Sequence, residues 1–238
     1  MQPYWIQHYC IQYIKLDRDC QVKLNREKTT KRTYNSSRRK EQARLTSRQI
    51  VEAARKLFIE RGYSGATIEA IAQEAGVSVE TVYATFGGKR AILSRLIDVS
   101  LVGDDEPIPL LQRPGPLAVQ QEKDQQRQIQ LFARDMTKIM ERMAPLFGIM
   151  RVAAKTEPDI SEMLQNILES RVHGMEAFIR YLAANGPLRD NLSQAEAAET
   201  VWAISSAEVF SLLTTDRNWS GDRYEQWLTK TLTKLLLK

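Results

Sequence analysis

The chain has 238 residues, 43% of them hydrophobic and 26% charged, and carries a formal net charge of +5. That composition belongs to a globular protein with room for one large or two small domains. Its two cysteines, Cys10 and Cys20, make neither a disulfide framework nor a zinc site, which fits a reducing cytoplasm, and no run of about 18 apolar residues is present to span a membrane.

The opening, MQPYWIQHYCIQYIKL, lacks the basic start, apolar centre and small-residue cleavage site of a signal peptide. Trp5, Tyr9, Tyr13 and Leu16 recur at helical spacing, so an amphipathic surface helix is one reading. An unstructured extension, or a reading frame opened upstream of the true start, is the other. From Lys28 to Arg48 the chain is basic: Lys28, Lys31, Arg32, Arg38, Arg39, Lys40, Arg44 and Arg48 face only Glu41. Asn35, Ser36 and Ser37 interrupt the run, so residues 1–43 are expected to form a flexible basic extension.

Beyond it the apolar residues recur at helical spacing and no period-2 strand pattern is found, so the fold class is all-α. Thr46 and Gln49 have capping-box spacing, and Ile50, Ala53, Ala54, Leu57 and Phe58 give the following helix one apolar face. Gly62 is placed to end that helix in a left-handed conformation. Thr67 is a candidate cap for a second helix and Ser78 for a short third one, which Gly87 and Gly88 break before Lys89 opens a fourth. A helix, a glycine turn and a second short helix packed on a preceding helix form a helix-turn-helix arrangement. This first domain is expected over 44–104.

The stretch IVEAARKLFIERGYSGATIEAIAQEAGVSVETVYATFGGKRAIL, within about Thr46 to Leu101, resembles the tetracycline-repressor (TetR/AcrR) family of transcriptional regulators. Several features fall in order at fixed spacing: Ala-Ala-x-x-Leu-Phe, Gly-Tyr-x-x-x-Thr, Ile-Ala-x-x-Ala-Gly-Val-Ser, Thr-Val-Tyr and Phe-x-x-Lys. The resemblance covers about a quarter of the chain. It implies an N-terminal three-helix DNA-binding domain joined to a C-terminal helical domain that binds a ligand and dimerises. It also implies double-stranded operator DNA, a second copy of the chain and a small-molecule effector as partners, with no membrane partner, cofactor or metal.

By that resemblance Tyr83 and Lys89 contact phosphates. Where the family often has histidine before the closing aromatic, this chain has Thr85, a shorter contact that does not titrate. Thr67 and Ser78 present helix N-termini to phosphate whether or not they also act as caps. The recognition helix lacks Arg, Asn and Gln, the side chains best suited to reading guanine or adenine through two bonds. Val79 and Ala84 suit thymine methyls, and Thr81 suits either base type. Glu80 either accepts from a cytosine amino group or serves its own helix's dipole. Arg44 and Arg48 are candidates for a minor groove.

Four of the eight prolines fall within 105–118, which reads as a proline-rich linker to a helical domain over 119–238. Helices are expected at roughly 119–144, 146–155, 158–184, 193–215 and 220–237. Capping boxes are expected at Thr156–Asp159 and Ser193–Glu196, and Ser220 is expected to cap the last helix. Methionines concentrate between 136 and 175. The expected sensing cavity is walled by Phe132, Met136, Met140, Met143, Phe147, Met163, Ile167 and Phe178, and the alternative is that these residues fill a helical core. Lys155, Arg171 or His173 is a possible orienting contact. The expected dimer face comprises Ala198, Val201, Trp202, Ser205, Val209, Leu212, Tyr224, Trp227, Leu228, Leu232 and Leu235, with Thr231 on the same stripe.

The resulting expectation is a homodimeric, non-enzymatic repressor released from a near-palindromic operator by an apolar or aromatic ligand. The alternatives are a DNA-binding regulator without an effector and a protein-binding adaptor. An enzyme finds no nucleophile elbow, phosphate loop or convergent carboxylates in the sequence.

Overall fold

A computed structural model of the protein describes residues 34–238, with side chains from residue 38 onward. The Trp5 to Leu16 stripe and the start of the basic arm lie outside the described residues. The chain divides into two compact units, 1–45 and 46–238. Among the described residues every regular element is helical.

In the first unit the backbone is already helical from Tyr34, in the helix α1 that extends to Gly65. From Tyr34 onward the chain is helical where a flexible extension was expected, and Thr46 caps no helix start. The reason is local: RRKEQARL, residues 38–45, consists of good helix formers with no breaker. Arg38, Arg39, Lys40 and Arg44 are exposed.

In the second unit Gly62 breaks the helical path at φ 70°, a conformation that costs glycine little. Helix α2 spans Ile68–Ala75, α3 Val79–Phe86 and α4 Lys89–Val102. The hydroxyl of Thr67 accepts from the Ala70 N–H at 3.2 Å, and that of Ser78 accepts from Thr81 at 3.2 Å. Both expected caps form. Ile50, Ala54, Phe58, Ile71, Val82, Ile92 and Leu96 are sealed from solvent, so α1 to α4 share one apolar centre.

The proline-rich segment is more ordered than a linker. Arg113 donates to both oxygens of Asp104 and to the carbonyls of Glu106 and Ile108. Helix α5, Pro114–Gln121, then starts on a proline. The first N–H groups of a helix have no intrahelical acceptor, so Pro114 and Pro116 forfeit no bond there.

Helix α6, Gln125–Ala153, is the axis of the second part. It packs against α4, α5, α7 (Pro158–Asn185), α9 (Ala207–Ser211) and α10 (Gly221–Leu236). It runs through Pro145, where the sequence suggested a break. Pro145 lies on the exposed side of the helix, so the bond it omits faces water rather than core. Helix α7 takes Glu157 as its N-cap residue without a side-chain bond, and the expected box at Thr156 is not made.

Ser193 and Glu196 do form a reciprocal capping box before α8, Gln194–Ile204. The single helix expected over 193–215 is interrupted at two serines. The Ser205 hydroxyl bonds back to the Val201 carbonyl at 2.7 Å, and Ser206 caps α9 through the Val209 N–H. A π-turn at Leu212–Asp216 follows, and Ser220 caps α10 as expected.

The two parts meet at the C-terminal end of α4. Arg142 on α6 donates to the Ser100 carbonyl at 2.6 Å and to that of Leu101 at 3.2 Å. Arg55 on α1 donates to the Ser100 hydroxyl at 2.7 Å. Both cations sit at the negative end of the helix dipole, and Arg142 occupies two carbonyls that have no partner within the helix.

Candidate functional site

Helix α3 is eight residues long and turns one face outward. Its buried anchor is Val82, while Val79 and Phe86 pack half-buried against the core. Opposite them stand Glu80, Tyr83, Ala84 and Thr85, all exposed, with Tyr83 keeping 51% of its surface accessible. Thr67 and Ser78 are exposed at two adjacent helix starts. The turn between α2 and α3 uses Gly76 at φ 67°, and α3 ends at Gly87 at φ 73°. A slim helix with small outward side chains and exposed N-terminal amides beside it suits a major groove about 12 Å wide.

Individual residues have firmer local roles than their types suggested. The Thr81 side chain is half-buried, its hydroxyl 3.1 Å from that of Ser78. The Thr85 hydroxyl donates to the Thr81 carbonyl at 2.7 Å. The Glu80 carboxyl is held below the usual range by its own backbone N–H and by the Ser78 hydroxyl, which is how a carboxylate at a helix start behaves.

Lys89 departs from expectation. Its ammonium donates to the Tyr63 carbonyl at 2.8 Å and lies 4.2 Å from the centre of the Tyr63 ring. Burial holds its pKa below the usual lysine range. It ties α4 to the turn after Gly62 and does not point outward as a phosphate contact would. The reason is that Tyr63 packs on Phe58 and brings its carbonyl and ring over the start of α4. Arg48, named for a minor groove, is engaged with both oxygens of Asp105. Arg44 is exposed.

Of the residues named for a cavity, Phe132, Met136, Met140, Met143, Phe147, Met163 and Phe178 are all buried, and Ile167 is half-buried. They belong to one apolar core between α6 and α7, in which Phe132 and Phe178 stack with centroids 4.0 Å apart. Lys155 is exposed, and His173 pairs with Glu176 one turn along its own helix. Arg171 reaches the carbonyls of Trp202 and Ser205.

The expected dimer stripe requires correction. Ala198, Val201, Ser205, Tyr224, Leu228 and Leu232 are buried inside the single chain. They face the chain's own core. The stripe appeared as one because helical periodicity marks an apolar face without saying what covers it. Trp202, Val209, Trp227, Thr231 and Leu235 are half-buried, and Leu212 is 55% exposed.

Sequence reading also missed the bonds that hold the linker and the end of α4. Asp105 and Arg142 act over 57 and 42 residues of separation, beyond the reach of any local pattern.

Fold and site thus define a helix-turn-helix protein with a larger all-helical second part. Residues 50–96 match the sequence model of bacterial regulatory proteins of the tetR family. The HTH-type transcriptional regulator TtgR of Pseudomonas putida is 39% identical over 61 residues, which are 26% of this chain and 29% of that protein. The match thus spans under a third of that relative. NalD of Pseudomonas aeruginosa, described as the secondary repressor of the MexAB-OprM multidrug efflux pump, shares the fold with a TM-score of 0.60 at 18% identity, over 83% of this chain and 98% of its own. The structure of a SmeT–triclosan complex superposes with a TM-score of 0.58 at 20% identity, over 81% of this chain and 92% of its own. The likeness to the tetR family is thus carried by the N-terminal helix-turn-helix domain, and the likeness of the second part is one of fold. No helix among the described residues is long and apolar enough to cross a membrane.

Proposed function

We propose that this chain is a homodimeric DNA-binding transcriptional repressor, released from a near-palindromic operator by a small, mainly apolar or aromatic ligand. The observation that carries the reading is the outward face of α3. Glu80, Tyr83, Ala84 and Thr85 project from a helix held by a buried Val82, beside exposed N-termini at Thr67 and Ser78. Two such helices in one dimer fit successive major grooves about 34 Å apart.

Phosphate contact falls to Tyr83, Thr67 and Ser78, and the basic residues of the N-terminal arm add attraction that is independent of sequence. Val79, Ala84 and Thr81 border the bases. The dimer face is drawn from the accessible residues of α8 to α10: Trp202, Val209, Leu212, Trp227 and Leu235. The ligand is proposed to enter the methionine-rich core from Phe132 to Phe178, because unbranched methionines repack at low cost. Its arrival would act on α6, and through Arg142 on the end of α4. A coupling of about 1–3 kcal/mol between the two sites is typical.

The test is titration of the full chain against the DNA upstream of its own reading frame, by anisotropy over a range of salt. If the dimer neutralises about 6–10 phosphates, affinity falls about 10³–10⁵-fold between 50 and 200 mM salt. Binding that ignores salt rejects the interface described. No DNA binding at any salt leaves the adaptor.

A further inference from the structure

Among the described residues, three buried side-chain nitrogen or oxygen atoms have no hydrogen-bond partner: Arg171 Nε, Trp202 Nε1 and Tyr224 Oη. Most buried polar groups are satisfied, so such atoms call for an explanation. The three are not scattered. The Arg171 guanidinium lies 5.5 Å from the Trp202 ring centre, and its Nη2 donates to the Trp202 carbonyl. Its charge also acts on the Tyr224 hydroxyl. The cluster lies where α7, α8 and α10 meet.

Arginine and tryptophan only donate, and tyrosine donates readily. The Trp202 and Ser205 carbonyls satisfy Arg171 Nη2, and what the other three atoms lack is an acceptor. The cluster also lacks a counter-charge in hydrogen-bond contact. The acid whose charge acts most on Arg171 is Glu208, and Glu208 is paired with Arg151. Burying a cation without its anion is costly, so a site left this way is built for something that arrives. One positive charge and three donors match two carboxylate oxygens, which carry one negative charge and about four lone pairs. Aromatic rings enclose the Tyr224 side: Phe210 meets it edge-on at 4.8 Å, and Trp227 lies 5.7 Å away.

We propose that Arg171, Trp202 and Tyr224 form a carboxylate-binding site, so that the effector is an organic monoacid whose apolar body lies among the neighbouring rings and methionines. The site rests on the ligand-responsive reading above and narrows it, since a purely apolar effector leaves all three donors unmet. Two of the three residues sit on helices assigned to the dimer face, so carboxylate binding would be felt at the interface between copies.

The test uses hexanoate and benzoate as probes, with hexanamide and benzamide as neutral controls of the same shape, on the full chain. Thermal melting is followed for the wild type and for Arg171→Met, which keeps the length of the side chain and removes its charge. At about ten times its dissociation constant, a carboxylate raises the wild-type Tm by about 3–6 °C, while the amides and the variant show no shift. In the absence of probe, Arg171→Met loses the bonds to the Trp202 and Ser205 carbonyls, so each probe shift is read against the variant's own melting temperature. Three results overturn the proposal: no Tm shift with either carboxylate, an equal shift in the variant, or equal shifts with acid and amide. A variant that loses the dimer, in a protein whose wild type ignores both acids, assigns the donors to the subunit interface and also overturns it. Salt-sensitive DNA binding is measured on the same samples, so a failed carboxylate site is told apart from a failed regulator.

Discussion

Arg48 donates through Nε and Nη2 to the two carboxylate oxygens of Asp105, at 3.0 and 2.9 Å. The arginine stands on the exposed side of α1, and Asp105 lies three residues beyond the end of α4. The pair thus joins the DNA-facing part to the segment that leads into the second domain. A carboxylate that neutralises Arg48 competes with any phosphate for the same guanidinium. Asp105→Asn is therefore expected to tighten operator binding, by up to about tenfold at 50 mM salt, and to steepen the salt dependence by about one counterion per protomer. Anisotropy titrations of wild type and variant at four salt concentrations check it. Weaker binding by the variant means that Asp105 holds Arg48 in the geometry DNA needs.

Tyr83 and Lys89 should separate cleanly. Tyr83 is exposed at the surface, whereas Lys89 bridges α4 to Tyr63. Tyr83→Phe is expected to leave the melting temperature unchanged and to weaken DNA binding about fivefold, the value of one hydrogen bond. Lys89→Ala is expected to cost about 1–2 kcal/mol of stability, from a lost hydrogen bond and a lost cation–π contact. Urea melts of both variants decide. If Lys89→Ala is as stable as the wild type and only DNA binding suffers, the lysine swings outward in solution.

Local signals were read well and distant ones were not. The caps at Thr67, Ser78, Ser193 and Ser220 form because each rests on a side chain and an amide about three residues apart. Thr46 and Gln49 have capping-box spacing, yet the helix-forming run before them carries α1 back to Tyr34. The stripe through Leu228 and Leu232 is covered within the single chain, and periodicity marks an apolar face without saying what covers it. Lys89, Asp105 and Arg171 were legible as charges, but their partners lie tens of residues away.

Asp98 on α4 gives a pH-dependent term. Burial pushes its carboxyl up to about 6, against a smaller downward pull from Arg95. A raised folded pKa means that the fold binds the proton more tightly than the unfolded chain does. The associated stability is present below the ordinary carboxyl range and is lost as pH rises through about 6. Ionising Asp98 within the fold costs on the order of 3 kcal/mol. Asp98→Asn is expected to melt higher than the wild type at pH 7, with the difference closing as pH approaches 4. A difference that stays constant over that range would exclude ionisation as its source.

The proposed dimer face is tested by comparing Leu212 with Leu228. Leu212 is 55% exposed in the single chain, and Leu228, on the previously expected stripe, is fully buried. A glutamate at Leu212 places a charge on the accessible face without opening a cavity. Leu212→Glu is expected to shift the protein from dimer to monomer in sedimentation velocity while each chain keeps its helical circular dichroism. Leu228→Ala removes atoms from the chain's own core and leaves a void, which costs about 2–5 kcal/mol. Because folding and association are linked, both variants are melted at two protein concentrations. Leu212→Glu should abolish the concentration dependence of Tm, whereas Leu228→Ala should retain it at a lower Tm. The opposite pattern, with the dimer intact in Leu212→Glu and lost in a folded Leu228→Ala, would return the interface to the inward stripe and require α10 to rotate on pairing.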